Sequence, residues 1–270
     1  METIGFIGSG NMAEAMINGV LKAGVYRPGK VFASDVRTER LEYMREHYGV
    51  RTTQDNAELA SKCDIVVLSV KPQVITDVLN GIKGAIREHS LVVSIAAGIT
   101  VSNISSILGD MAIVRVMPNM PAWVDEGAAV LFANTKAEDK VEMARLIFLS
   151  VGKAEMVDDE GLIDAVTAVS GSGPAYFFLL MDEMIKAGVE LGLSQELSRD
   201  LVLQTGKGAT LLAEKEAEGG ITPSDLTKKV ATPNGTTEAA FKVFLANDFG
   251  PMVSQAMQRA AQRSRELSSG

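Results

Sequence analysis

The sequence predicts an α/β chain, a doubly wound and mostly parallel sheet followed by an all-helical domain. Three observations carry this. Short apolar runs alternate with helical periodicity through the first half. The chain opens on a strand, a glycine-rich turn and a helix in direct succession. Beyond Asp158-Asp159-Glu160 only helical pattern continues. The boundary placed there gives an α/β domain over 1–158 and a helical domain over 159–270.

Thr3 to Ile7 reads as a short buried strand. Gly8-Ser9-Gly10-Asn11-Met12-Ala13 then turns straight into a helix, Asn11 to Ala23, that stops at Gly24. This spacing suits a dinucleotide pyrophosphate. Gly8 permits the tight turn, Gly10 lets backbone approach the phosphates, and Ala13 lets helix and strand pack closely. The N–H groups opening the helix at Asn11 and Met12 favour an anion. The plain alternative is an ordinary strand–helix turn, and the strand–turn–helix context weighs against it. The expected fold is therefore Rossmann-like.

Val31 to Ala33 is a second strand and Thr38 to Tyr48 a second helix. Asp64–Val70, Leu91–Ile95 and Ala112–Met117 are near-continuous apolar runs, as parallel strands buried on both faces should be. Ala128–Phe132 and Ala154–Val157 read as the last strands, with a helix from Lys136 to Val151 between them. Ligands of such sheets bind at the carboxyl ends of the strands. The helical part reads as Pro174–Leu191, Leu197–Glu214, Thr237–Ala246 and Pro251–Leu267. Pro174 suits a first turn and Gly192 a stop. The last helix repeats Val253, Ala256, Ala260, Ser264 and Leu267 at helical spacing. The run Tyr176 to Met181 is apolar over a wide arc, more than a small helical domain readily buries. A homodimer through these helices is the natural outlet; a well-packed helical core is the alternative.

The net charge of −8 argues against nucleic acid and against an anionic membrane as partners. A single Cys63 excludes an internal disulfide and suits a reducing compartment. Strand-forming sequence from Thr3 leaves no room for a signal peptide. No apolar run approaches the ~20 residues of a bilayer span. A cytoplasmic protein is expected.

The usual catalysts are scarce. His47 and His89 read as solvated surface and Cys63 as core. No His, Cys and carboxylate cluster has metal-ligand spacing, so no metal is expected, and no Ser-His-Asp set can be drawn. A redox cofactor that carries the chemistry would need mostly positioning from the protein. Reduction of a carbonyl also wants an acid. Reduction of an iminium carbon does not, because the nitrogen already bears its proton.

Conspicuous segments fall where strands should end: Val70-Lys71-Pro72-Gln73, Ala96-Ala97-Gly98 and Met117-Pro118-Asn119-Met120-Pro121. The small residues at Ala96 to Gly98 let backbone approach a ligand. Lys71, followed by Pro72, reads as loop or cofactor support rather than a catalytic lysine. Asp35 ends the second strand where an acid binds the ribose 2′-hydroxyl of NAD. Ser34, Arg37 and Arg40 are donors suited to a 2′-phosphate, and the cluster favours NADPH, with NADH also possible. In the helical part, Ser170-Gly171-Ser172-Gly173-Pro174 offers hydroxyls that are either caps or substrate contacts. Thr232-Pro233-Asn234-Gly235-Thr236-Thr237 has the N–H groups and hydroxyls of a carboxylate nest, or of a simple helix cap.

These motifs, in this order, resemble pyrroline-5-carboxylate reductases over close to the full length. The resemblance runs through Ile4-Gly5-Phe6-Ile7-Gly8-Ser9-Gly10-Asn11-Met12-Ala13, Val70-Lys71-Pro72, Val93-Ser94-Ile95-Ala96-Ala97-Gly98 and Arg115-Val116-Met117-Pro118-Asn119. It continues in Asp164-Ala165-Val166-Thr167, Ser170-Gly171-Ser172-Gly173-Pro174-Ala175-Tyr176 and Thr232-Pro233-Asn234-Gly235-Thr236-Thr237. The family usually has two glycines after that last proline, where this chain has Asn234 first. Asn tolerates left-handed backbone.

The resemblance implies NAD(P)H-dependent reduction of 1-pyrroline-5-carboxylate, a small cyclic imine, to L-proline. It implies that Asn234, Gly235, Thr236 and Thr237 hold the substrate carboxylate, that Ser172 sits beside the ring and that Glu160 lies near the ring nitrogen. It implies that Asn56 contacts the adenosine ribose and that Ala96-Ala97 and Met117-Pro118-Asn119 flank the nicotinamide. It also implies interlocked homodimers, often assembled into decamers. A β-hydroxyacid dehydrogenase shares the architecture but reads with a lysine on the long interdomain helix, and here none precedes Lys186. A non-catalytic nucleotide sensor is the rival of another class.

Overall fold

The computed structural model describes Glu2 to Ser268. The chain runs β1 (Ile4–Ile7), α1 (Asn11–Lys22), β2 (Val31–Ser34), α2 (Thr38–Tyr48), β3 (Arg51–Thr53), α3 (Asn56–Lys62), β4 (Ile65–Leu68) and α4 (Ile75–Ile82). It continues with β5 (Leu91–Ser94), α5 (Val101–Leu108), β6 (Ala112–Met117), β7 (Gly127–Ala133), α6 (Val141–Leu149), β8 (Gly152–Met156) and α7 (Leu162–Val166). A π-helical turn, Thr167–Gly171, leads to α8 (Gly173–Glu190), α9 (Gln195–Ala217), α10 (Pro223–Val230), α11 (Thr236–Ala246) and α12 (Phe249–Ser268).

The strands form one eight-stranded sheet in the order β3-β2-β1-β4-β5-β6-β7-β8. All neighbours are parallel except β6 and β7. The connection from β6 to β7 is a short 3-10 segment, Met120–Val124, closed by Asp125 in the left-handed region. It is too short for a parallel crossover, so the chain returns antiparallel. Strands β1, β4 and β5 are buried at every position, which explains their unbroken apolar runs. Alternate side chains feed two cores. Ile4, Phe6, Val67 and Val93 face Met16, Ile17 and Phe148 from α1 and α6. Ile7, Val66, Leu68 and Val92 face Leu59, Leu79 and Ile104 from α3, α4 and α5. Each such side chain contributes about 1.5–3 kcal/mol on burial.

Compact packing divides the chain into two units. One holds the residues up to Pro174 together with those from Arg259 onward; the other is Ala175–Gln258. Residues 159–174 thus pack with the sheet, although the strand pattern ends before them. In the second unit α9 crosses α8 closely at Gly188, where an added Cβ would stand 2.7 Å from Ser198 Oγ. This unit leaves Phe177, Phe178, Leu201, Leu211 and Phe244 exposed.

Several elements differ from the sequence reading. The segment expected as one helix over 136–151 is a 3-10 turn, Thr135–Ala137, followed by α6. The short β3, α3, α4, α5, α7 and α10 are additional. Leu162–Glu190, helical but for a bend at Ser172, is by length and composition apolar enough to cross a bilayer. No single unbroken apolar run signals it, because Asp164, Asp182, Glu183 and Lys186 interrupt the stretch.

Candidate active site

Because β1, β2, β4, β5 and β6 are parallel, the segments after them gather along one edge of the sheet. The order reverses between β1 and β4, and the glycine-rich turn sits at that switch point.

The turn is tightly braced. Gly8 has φ +91°, and its N–H donates to Ser34 O at 2.9 Å. The Ser9 N–H donates to Asp35 Oδ2 at 3.0 Å and its hydroxyl to Ser34 O at 3.0 Å. Ser9 is fully buried, so it shapes the turn with groups already spent. Ser69, which the sequence reading passed over, donates its hydroxyl to Gly8 O at 2.7 Å. Arg40 pairs with Glu14 and donates to Ser9 O. Burial pushes the Glu14 carboxyl up, but hydrogen bonds from Arg40, Tyr48 and Tyr43 outweigh it and hold it below its ordinary value.

Beyond Ser9 the turn opens. A Cβ on Gly10 would meet nothing within 4 Å, and α1 starts there without a side-chain cap. The first N–H groups, from Asn11 and Met12, are thus left to a ligand. A dinucleotide pyrophosphate fits this cradle.

At the end of β2, Asp35 accepts both the backbone N–H and the guanidinium of Arg37, at 3.0 to 3.1 Å. Burial pushes its carboxyl up, but the bonds from Arg37 and the Ser9 N–H outweigh it and hold it below the ordinary carboxylate value. Ser34 is buried, with its hydroxyl given to Asn56 Oδ1 at 2.7 Å. Arg40 is committed to Glu14 and Ser9. Of the donors read as suited to a 2′-phosphate, Arg37 is the one at the surface, its side chain 54% exposed. Asn56 keeps its amide Nδ2 without a partner among the described residues. Lys71 is exposed after β4, and Val70 and Pro72 are half-buried beside it.

After β5 and β6 a second cluster forms. Ala96 and Gly98 are buried and Ala97 half-buried. Asn119 is nearly buried, accepts the Ala128 N–H at 2.8 Å and donates to Ser170 O at 3.0 Å. A Cβ on Gly171 would meet Met117 Cε at 2.5 Å. Met117, Pro118 and Asn119 therefore lie beside the π turn, which delivers Ser172. Its half-buried hydroxyl has no hydrogen bond among the described residues. Ser170 bonds back to Val166 O, so neither serine is seen capping α8.

Glu160 joins this cluster with one oxygen committed twice. Oε1 accepts from Arg115 Nη1 and from the Val101 N–H that opens α5, both at 2.9 Å. Arg115, in the middle of β6, is buried, and Glu160 covers it from a half-buried position, its side chain 24% exposed. Glu160→Ala would leave that guanidinium without its carboxylate, a loss of about 3 kcal/mol. The expected outcome is a melting temperature lower by about 5–10 °C and a modest fall in turnover. Complete inactivation of folded variant would instead assign Glu160 to proton transfer.

In the second unit, α11 begins after Gly235 with no side-chain cap. Asn234 takes the left-handed conformation, φ 59°, that suits a glycine position. The hydroxyls of Thr236 and Thr237 have no hydrogen bond among the described residues. A Cβ on Gly235 would stand 2.6 Å from Thr232 Oγ1. Glu238, unnoticed in the sequence, reaches back to accept the Asn234 N–H, an offset variant of the capping box. Among the described residues no group of three His, Cys, Asp or Glu could hold a metal.

A doubly wound sheet with an open glycine-rich turn at its switch point, followed by helices with exposed apolar faces, defines a dinucleotide-dependent oxidoreductase with a helical assembly domain. Comparison with known proteins agrees. The family model described as pyrroline-5-carboxylate reductase dimerisation matches residues 160–267, and that described as NADP oxidoreductase, coenzyme F420-dependent, matches residues 3–98. The pyrroline-5-carboxylate reductase of Pseudomonas aeruginosa is 45% identical over 98% of this chain and 96% of its own. The solved structure of the Coxiella burnetii enzyme of that name gives a TM-score of 0.91 at 38% identity, covering 99% and 98% of the two chains. That of the Plasmodium falciparum pyrroline carboxylate reductase, with NADP bound, gives 0.88 at 31%, with the same coverage. This chain belongs to the pyrroline-5-carboxylate reductase family.

Proposed function

We propose that the chain reduces 1-pyrroline-5-carboxylate to L-proline with NADPH, transferring hydride to the ring C=N carbon. The observation that carries the reading is full-length relatedness at 45% identity, joined to a sheet edge where the Gly8–Met12, Val70–Pro72, Ala96–Gly98 and Met117–Asn119 segments gather. When bound, NADPH supplies the hydride. The chain's own residues supply placement. The α1 N-terminus and Gly10 take the pyrophosphate, Asn56 Nδ2 the adenosine ribose, and Ala96-Ala97 and Met117-Pro118-Asn119 the nicotinamide. Val70, Lys71 and Pro72 support the same edge. The Asn234 to Thr237 nest holds the substrate carboxylate, with Thr237 giving a side-chain bond, and Ser172 lies beside the ring. The imine nitrogen arrives protonated or nearly so, and orientation with exclusion of water supplies most of the acceleration. Glu160, its Oε1 bonded to Arg115 and Val101, keeps the cluster in shape.

The exposed apolar faces of the second unit support a homodimer through these helices, and further assembly to a decamer follows the resemblance. The dimerisation family model, which begins at residue 160, supports a cofactor domain over 1–158 and a helical substrate and dimerisation domain over 159–270, although residues 159–174 and those from Arg259 onward pack with the sheet. We place the enzyme in the cytoplasm, where its lone buried Cys63 stays reduced.

The test is oxidation of NADPH and of NADH by purified protein with 1-pyrroline-5-carboxylate, the six-membered imine or a 3-hydroxyacid. Turnover of the five-membered imine is expected. Turnover of the six-membered imine alone, or of the hydroxyacid alone, overturns the substrate. For the cofactor, Arg37→Ala is expected to raise the Michaelis constant for NADPH about tenfold or more while that for NADH stays near the parent value. An unchanged NADPH constant removes Arg37 from the 2′-phosphate.

A further inference from the structure

We propose that the last turns of α12 position the cofactor site, through Leu267 on the Ala96–Gly98 turn and Ser264 on α7. The proposal rests on the reading of Ala96–Gly98 as the nicotinamide flank.

Two contacts, one helical turn apart, carry it. Gly98 has φ +74°, and a Cβ there would stand 2.9 Å from Leu267 Cβ and 3.1 Å from its carbonyl carbon and oxygen. The helix thus lies directly against the turn, and a side chain at position 98 would lift it off. Ser264 is 5% exposed, and its hydroxyl donates to Asp164 Oδ1 at 2.6 Å. A buried carboxylate is costly unless it is bonded, so this bond fixes where α7 sits against α12. Ser264 and Leu267 share a face at i, i+3. That is the helical spacing visible in the sequence, which the dinucleotide and nest motifs leave unexplained.

The two contacts close a ring. Three residues beyond Gly98, the Val101 N–H donates to Glu160. Four residues beyond Glu160 lies Asp164, which returns to Ser264. Past Asp164 the π turn meets Met117 and Asn119 and ends at Ser172. The face of α12 therefore sets the spacing between the Ala96–Gly98 turn and the segment that presents Ser172. Ser264 and Leu267 act through these neighbours and are positioning residues.

The test compares Ser264→Ala, which removes the donor, with Asp164→Asn, which keeps Oδ1 as an acceptor for the same hydroxyl. The dissociation constant for NADPH is read by the fluorescence of the bound nicotinamide, with kcat measured well below the melting temperature. Ser264→Ala is expected to weaken NADPH binding several-fold and to lower kcat about tenfold. Asp164→Asn should stay within about twofold of the parent. A merely structural bond would lower the melting temperature of Ser264→Ala and leave both constants unchanged, which overturns the proposal. An Asp164→Asn loss as large as that of Ser264→Ala overturns it as well. The binding measurement needs no substrate. A parent that binds NADPH but turns over no pyrroline-5-carboxylate therefore refutes the proposed reaction separately.

Discussion

Thr237→Ala is expected to raise the Michaelis constant for pyrroline-5-carboxylate about tenfold or more, with the constant for NADPH within about twofold of the parent. Thr237 stands in the first turn of α11, half-buried, its hydroxyl unspent within the chain. The helix start has no side-chain cap, so an incoming carboxylate meets open N–H groups together with this hydroxyl. A hydrogen bond to a charged group contributes about 1.5–3 kcal/mol, hence the tenfold floor. The helix itself should survive, because the threonine caps nothing. Thr237→Ser restores the donor and should return most of the affinity. A Thr237→Ala enzyme with the parent substrate constant would remove the carboxylate from this nest. Glu238 sharpens the test, since its carboxylate already occupies the Asn234 N–H. The nest is thus left with the N–H groups of the α11 first turn and the two threonine hydroxyls.

What could be read in advance follows from what each element owes to its own residues. β1, β4, β5 and β6 are buried on both faces, and that alone writes their apolar runs. β3 is three polar residues at the sheet edge, held by its pairing to β2, and carries no such mark. α5 is rich in serine, a poor helix former, and hides in the pattern. Its capping box, Thr100 with Asn103, is a local signal the sequence reading missed, as is Thr222 with Asp225 ahead of α10. The glycine-rich turn was plain because its chemistry is local. The state of the polar groups around it was not. Whether Ser34 or Arg40 is free for a phosphate depends on Asn56, Glu14 and the Ser9 carbonyl, and those partners meet only in the fold. Glu160 is similar. Its carboxylate looks available in sequence, and one of its oxygens is committed to a buried arginine forty-five positions away.

The turn at Gly8 and Gly10 allows a sharper experiment, because two neighbouring glycines should fail for different reasons. At Gly8 the backbone has φ +91°, which costs an L-residue about 1–2 kcal/mol. The new Cβ would also lie 2.7 Å from Ser69 O and 2.8 Å from Val70 Cγ1. The Ser69 backbone cannot give way, since its N–H and its hydroxyl both bond to Ile7 O and the hydroxyl also bonds to Gly8 O. Overpacking of this kind costs about 1–3 kcal/mol more. Gly8→Ala should therefore lower the melting temperature by about 5–15 °C and weaken NADPH binding at least about a hundredfold, as the Ser34 and Asp35 bonds to the turn are pulled apart. At Gly10 φ is −69° and the space around a Cβ is open, so alanine strains nothing in the free protein. Gly10→Ala should melt with the parent and still bind NADPH far more weakly, because the methyl group would occupy the cradle in front of α1. Calorimetry and equilibrium binding on the two variants separate the cases. A Gly10→Ala protein that binds NADPH as the parent does would mean that the pyrophosphate lies elsewhere. A Gly8→Ala protein of parent stability would mean that the switch-point turn is not as tightly held as its bonds to Ser34, Asp35 and Ser69 require.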